Sequence, residues 1–125
     1  MKTIINTTNA PKAIGPYNQA IEAGGMIFIS GQIPISPETG QIIEGGIAEQ
    51  TKQVLKNMEA ILTEAGLSMA NVVKTTCLLS SMDNFAAMNK VYAEFFTENM
   101  PARAAYGVVK LPMGVMVEIE AIAVR

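Results

Sequence analysis

Alternation of apolar and polar positions, interrupted twice by helical spacing, divides the chain into eight elements. Lys2 to Ile5 reads as a short edge strand, followed by a polar, Pro-punctuated connection from Asn6 to Tyr17. Gln19 to Ala23 and Met26 to Ser30 flank Gly24-Gly25, a pair that supplies the positive φ angles of a tight I′ or II′ hairpin turn. Met26-Ile27-Phe28-Ile29 is apolar at every position, as in a strand covered on both faces. Ser30-Gly31-Gln32 closes that run, and Pro34, Pro37 and Gly40 mark a loop.

From Ile47 to Ala65 the pattern changes period. Ile47, Val54, Leu55, Met58, Ile61, Leu62 and Ala65 follow helical spacing, with Lys52, Lys56, Glu59 and Glu64 mostly on the opposite side. Gly66-Leu67 fits a C-terminal cap. Val72 to Ser80, with Val72-Val73 and Thr75-Thr76, predicts a strand. A second helix opens near Asp83 as N-cap and carries Phe85, Met88, Tyr92, Phe95 and Phe96 on one stripe, ending before Pro101.

The last quarter, Pro101 to Arg125, shows two alternating runs around the turn-like Lys110-Leu111-Pro112-Met113-Gly114 and reads as two antiparallel strands joined by a short connection. If Ala105 lies opposite Glu118, then Arg103, Glu118 and Glu120 share one face, with Arg103 and Glu118 diagonal neighbours at roughly 7 Å. A one-residue slip would separate them. The order β, β, β, α, β, α, β, β describes an α+β domain whose two helices cover one face of a sheet. Val115 to Val117 and Met26 to Ile29 leave the other face apolar, and a second copy of the chain is the expected cover.

Composition narrows the chemistry. At 125 residues the chain is a single domain, 1–125, half hydrophobic and only 16% charged, with a net charge of −2 and no cationic cluster, which disfavours nucleic acid. Neither a signal-peptide core nor a run of roughly 20 apolar residues occurs, so the expected location is cytoplasmic, with no membrane association. The one cysteine, Cys77, excludes an internal disulfide, and the absence of histidine removes the common zinc motifs and the Ser-His-Asp triad. Catalysis would rest on carboxylates, Arg, Lys, Tyr, hydroxyls, backbone and water.

Arg103, flanked by Ala102, Ala104 and Ala105, has two readings: a structural partner of Glu118 or Glu120, or a planar fork for a substrate carboxylate. In the second, Glu118 or Glu120 would handle water, and spacing does not choose between them. Ser30, with no histidine to activate it, reads as a hydrogen-bonding residue or as a polar residue that ends its strand. Tyr17 in its Gly-Pro-Tyr turn reads as a packed aromatic with a partnered hydroxyl. Asn89 stands at the edge of the second helix's buried stripe, and Cys77 reads as a buried structural thiol.

The run PAR followed by AAYGVVKLPMGVMVEIEAIAV resembles the signature of the RidA (YjgF) family of reactive-intermediate deaminases, and AIGPYNQA, MIFISGQIP, EAGL, VVKTT and the stretch from Asp83 to Phe96 resemble its other blocks, in order, over essentially the whole chain. The resemblance implies a chorismate-mutase-like α+β fold with a mixed sheet, assembled as a homotrimer with a barrel-like centre and clefts between subunits. It implies hydrolysis of enamines and imines such as 2-aminoacrylate, 2-iminopropanoate and 2-iminobutanoate to 2-oxo acids and ammonia, with no cofactor or metal. It also implies a link to pyridoxal-phosphate-dependent serine and threonine dehydratases. Carried over by residue, Arg103 binds the carboxylate, Glu118 handles the attacking water, and Tyr17, Ser30, Gly31 and Asn89 line the cleft. Two departures stand out: Ala105 occupies a place where many members have cysteine, and the connection before Pro101 is shorter than in some. A non-catalytic trimer binding 2-oxo acids, and a ribonuclease or translation inhibitor, are the alternative readings.

Overall fold

The structure, a computed structural model, describes residues 1–125. The chain runs β1 (Thr3–Ile5), β2 (Ala20–Ala23), β3 (Met26–Gln32), α1 (Ile47–Glu64), β4 (Val72–Leu79), α2 (Phe85–Phe95), β5 (Ala102–Gly107) and β6 (Val117–Val124). This is the order that the periodicity predicts. The β2–β3 turn has φ of 59° at Gly24 and 76° at Gly25, both in the region that only a type I′ turn requires twice. At the end of α1 the N–H of Leu67 donates to the carbonyl of Leu62 at 2.8 Å, and that of Gly66 to Thr63 at 2.9 Å, the paired bonds of a Schellman cap.

The six strands form one mixed sheet in the order β1-β2-β3-β6-β4-β5. All neighbours are antiparallel except β4 and β5, which run parallel. This corrects the expectation for the last quarter. β5 and β6 are opposite in direction but not adjacent, because β4 lies between them. Two strands joined by a crossover helix run parallel, and α2 makes β4 and β5 such a unit. β6 then fills the place left between β3 and β4. The segment 108–116, with its one-turn 3₁₀ helix at Pro112–Gly114, is therefore not a hairpin turn but a path over the end of β4.

A second correction concerns the start of α2. The residue that caps is Ser81, whose hydroxyl accepts from the N–H of Asp83 at 3.1 Å. That bond caps a short 3₁₀ turn at Met82–Asn84 in which Asp83 lies, and α2 follows from Phe85 with Asn84 in the capping place and no side-chain bond of its own.

Both helices pack on one face of the sheet. Val54, Leu55, Met58, Ile61 and Leu62 of α1 are fully buried, against Ile27, Cys77, Leu79, Val117, Ile119 and Ala123 of the sheet. At roughly 1.5–3 kcal/mol for each large apolar side chain buried, this layer is the main source of stability. The other face has no cover within the chain. Across it the register aligns Ile4 with Ile21, Ile21 with Phe28 and Phe28 with Ile122, and Phe28 keeps 42% of its surface exposed. Within the chain, Met26 to Ile29 is covered on one face only. No helix is long and apolar enough to cross a membrane.

Candidate active site

The predicted site residues fall into two groups on opposite faces of the sheet. Successive side chains of a strand alternate between faces, and residues paired across strands share one. Arg103 is opposite Thr75, which is opposite Ala121; Thr75 is fully buried on the helix side. Glu118 is opposite Leu78 and Glu120 opposite Thr76, on the open side. The assumed register, with Arg103 and Glu118 on one face, is therefore overturned, and so is an Arg103 salt bridge to either glutamate. The chain's one ion pair is Arg125 with Glu22, at 2.7 Å.

The first group is built on α2. Phe85, Asn89 and Tyr92 stand at i, i+4 and i+7, hence on one stripe, and the Arg103 guanidinium lies along it. Its Nη1 donates to Oδ1 of Asn89 at 2.7 Å, while Cζ lies 4.9 Å from the centre of the Tyr92 ring and 5.4 Å from that of Phe85. Tyr92 is fixed from below by a 2.7 Å hydrogen bond between its hydroxyl and that of Thr75. Burial pushes the Tyr92 phenol up from its usual range, so it stays neutral. Ala105, two residues along β5, lies beside Cys77 and is partly buried against the core. Cys77 is buried as expected, and burial pushes its thiol up to about 11 against opposing pulls from Arg103 and a hydrogen bond to Thr75.

The second group surrounds a cleft of about 480 Å³ on the open side. Tyr17, Ser30, Gly31, Glu118 and Glu120 line it, together with Ile14, Ile33 and Pro112. Each enters through an identifiable local device. β3 continues through Ser30-Gly31 to Gln32 instead of ending there. Ile29 is opposite Ala121 and Gln32 opposite Ile119, so two residues of β3 face Glu120 alone, which is a β-bulge. The bulge brings Gly31 against Glu118: a Cβ on Gly31 would meet Oε2 of Glu118 in a gross clash. Ser30 acts as the hydrogen-bonding residue expected, its Oγ donating to the carbonyl of Asn18 at 2.6 Å.

The Tyr17 loop is held by Gln19. That side chain is buried, accepts from the N–H of Thr7 at 2.8 Å and donates to the carbonyls of Thr7 and Pro11 at 3.0 and 2.9 Å. Tyr17 itself is not the packed aromatic predicted: the residue is 47% exposed, with only a long 3.4 Å bond from the N–H of Ile14 to its hydroxyl. On the other wall, Asn57 of α1 donates to the carbonyls of Ile33 and Ile35 at 3.3 and 3.0 Å. Gln50 accepts from the N–H of Met116 at 2.9 Å and so steadies the entry to β6.

Burial, and then repulsion from Glu120, raises the Glu118 carboxyl above its ordinary range. No cation contributes to that shift, contrary to the expectation of a guanidinium nearby. A carboxyl raised in this way holds a proton more readily than an exposed one, which suits proton exchange with a water. No group of three His, Cys, Asp or Glu is arranged to hold a metal ion. Sequence reasoning missed the two rings under Arg103 and the buried amides of Gln19, Gln50 and Asn57. The i, i+4, i+7 spacing was a usable signal for the rings, whereas nothing local distinguishes the amides.

The family model described as Endoribonuclease L-PSP matches residues 7–125. A RutC family protein of Pyrococcus horikoshii is 57% identical over 100% of this chain and 99% of its own length. Human 2-iminobutanoate/2-iminopropanoate deaminase is 50% identical over 100% of this chain and 91% of its own. Among solved structures, that of Escherichia coli TdcF with bound serine superposes with a TM-score of 0.94 at 44% identity, covering 98% of each chain.

Proposed function

The chain belongs to the endoribonuclease L-PSP (YjgF/RidA) family, and from that membership we propose that it is a hydrolytic deaminase of 2-imino acids and their enamine tautomers. The observation that carries the reading is Arg103. Its guanidinium is exposed, backed by two rings and one amide, and faces no carboxylate of its own chain. A cation so prepared is a receptor for an outside carboxylate, which a 2-imino acid supplies.

Arg103 and Glu118 lie on opposite faces, so one chain does not complete the site. We infer a homotrimer of the chorismate-mutase-like type, with a barrel-like centre, in which Arg103 and Asn89 of one protomer face the Glu118 cleft of the next. The apolar row from Ile4 to Ile122 supports such packing. Arg103 holds the substrate carboxylate, and Tyr17, Ser30 and Gly31 shape the cleft. 2-Aminoacrylate takes a proton on its methylene carbon to become the iminium form of 2-iminopropanoate. Glu118 accepts a proton as water adds to the iminium carbon and returns it to the amino nitrogen of the resulting carbinolamine; the C–N bond then breaks as the carbinol hydroxyl gives its proton to Glu118 and becomes the carbonyl, leaving the 2-oxo acid and ammonia. No cofactor or metal enters this scheme. The chain would work in the cytoplasm, downstream of pyridoxal-phosphate-dependent dehydratases that release such intermediates.

The ribonuclease reading carried by the family's description finds little support here, since the chain has no histidine and a net charge of −2. A trimer that only binds small acids is favoured by one observation, the serine bound to TdcF. Mixing the purified chain with a serine or threonine dehydratase and following imine decay separates these. Acceleration over buffer is expected, with a loss of about 10²-fold or more in Arg103→Ala. Imine decay no faster than in buffer, or an alanine variant as active as wild type, sinks the proposal.

A further inference from the structure

We infer that the aromatic stripe of α2, Phe85 and Tyr92, is a positioning device for Arg103, setting which edge of the guanidinium is offered to the substrate carboxylate. The inference rests on the reading of Arg103 as the carboxylate receptor. An arginine side chain on an exposed strand has several rotatable bonds and loses much freedom when it binds. Here that freedom is already restricted from two directions. Phe85 and Tyr92 lie below the guanidinium at 5.4 and 4.9 Å, distances at which a ring face attracts a cation. Asn89, between them on the stripe, takes one N–H of Nη1 at 2.7 Å.

The amide orientation follows from chemistry. A guanidinium has no acceptor, so the Asn89 oxygen must face it and the Asn89 NH₂ must point away. One corner of the fork is thus occupied, one face is covered, and the remaining N–H groups form the free edge. The platform is itself anchored, because the Tyr92 hydroxyl is tied to the buried Thr75 hydroxyl at 2.7 Å. Thr75 is the residue opposite Arg103 in the sheet, so one strand position fixes both the backbone beneath the arginine and the ring beside its head. Preorganisation of this kind lowers the ordering cost of binding and appears in Kd and KM more than in kcat.

The test measures KM and kcat for imine hydrolysis, the Kd of 2-oxobutanoate and the thermal midpoint for wild type, Phe85→Leu, Tyr92→Leu and Tyr92→Phe. Phe85→Leu should raise KM and Kd by about 2- to 5-fold with kcat nearly unchanged, and Tyr92→Leu by more. Tyr92→Phe keeps the ring but frees it from the Thr75 hydroxyl, so it should raise KM by less than Tyr92→Leu does while melting lower. In an Arg103→Ala background, Phe85→Leu should add nothing to Kd. The inference is overturned if folded Phe85→Leu and Tyr92→Leu both keep wild-type KM and Kd, or if Tyr92→Phe raises KM as much as Tyr92→Leu. A wild-type chain that neither binds 2-oxobutanoate nor hydrolyses imine overturns the reading beneath it, and this inference with it. Wild-type activity alongside unchanged ring variants overturns this inference alone.

Discussion

The two faces of the sheet are made from the same strands and are finished to different degrees. On the helix side Cys77, Leu79, Val117, Ile119 and Ala123 expose nothing, and Thr75 has its hydroxyl partnered. On the open side Ile4, Phe28 and Tyr106 keep 57%, 42% and 50% of their surface, and Glu118 and Glu120 stand without a cation. The closed face accounts for why the chain folds. The open face states what the folded chain has yet to meet, both in apolar cover and in charge. Each carries half of the proposed chemistry, which is why neither half is intelligible alone.

The largest effect expected from breaking this division comes from mixing two inactive variants. Arg103→Ala and Glu118→Gln chains, each inactive alone, should recover about one quarter of wild-type activity when refolded together, the fraction of sites that draw both intact residues from different copies. If the two residues served the same chain's site, no mixture would recover activity. Next is Gly31→Ala. Its Cβ would occupy the place of Glu118 Oε2, so the carboxylate must move, and misplacement of about 1 Å costs on the order of 10²-fold in kcat/KM. The melting temperature should fall much less than activity; the reverse pattern would show that the bulge serves only packing.

Smaller again is the pH dependence of Glu118. Its carboxyl is raised in the folded chain, so between the ordinary carboxyl pKa and the raised one the folded state binds more protons than the unfolded state. Its contribution to stability therefore falls as pH rises through that window. Glu118→Gln should raise the thermal midpoint at pH 7 and give little gain at pH 4. An equal shift at both values would remove burial of the charge as the cause. The smallest effect belongs to the closed face. With its thiol pushed up to about 11 and fully covered, Cys77 should resist iodoacetamide at pH 7 in the folded chain and react once the chain is denatured. Rapid labelling of folded protein would show that this face opens.

Much of this arrangement was legible in the chain, and the reason it was not all legible is physical. Periodicity is local, so α1 from Ile47, the Gly24-Gly25 turn and the order of elements could be read directly. Adjacency is not local. Lys110 to Gly114 has the composition of a hairpin turn, yet 108–116 crosses the end of β4, because α2 makes β5 parallel to β4 and commits that edge first. In the register that β4 sets, Ala105 shares a row with Ile119 instead of Glu118, so Arg103 and Glu118 lie on opposite faces and the salt bridge weighed for Arg103 disappears. The residue types of the site were visible as chemistry without a place. Glu118 and Glu120 remained tied on spacing because both face the cleft; the bulge at Gly31, which seats Glu118 alone, depends on β3 and β6 being neighbours.

The position of β5 has a kinetic consequence. Glu118 rides on β6, hydrogen-bonded to strands on both sides, whereas Arg103 rides on β5, which has β4 on one side and nothing of its own chain on the other. Opening β6 means dismantling the sheet, at a cost near that of global unfolding, while an edge strand can detach by local opening alone. The carboxylate half of the proposed site is thus tied to unfolding of the whole molecule, and the arginine half to local opening of an edge strand, which a neighbour or ligand closing over it would slow.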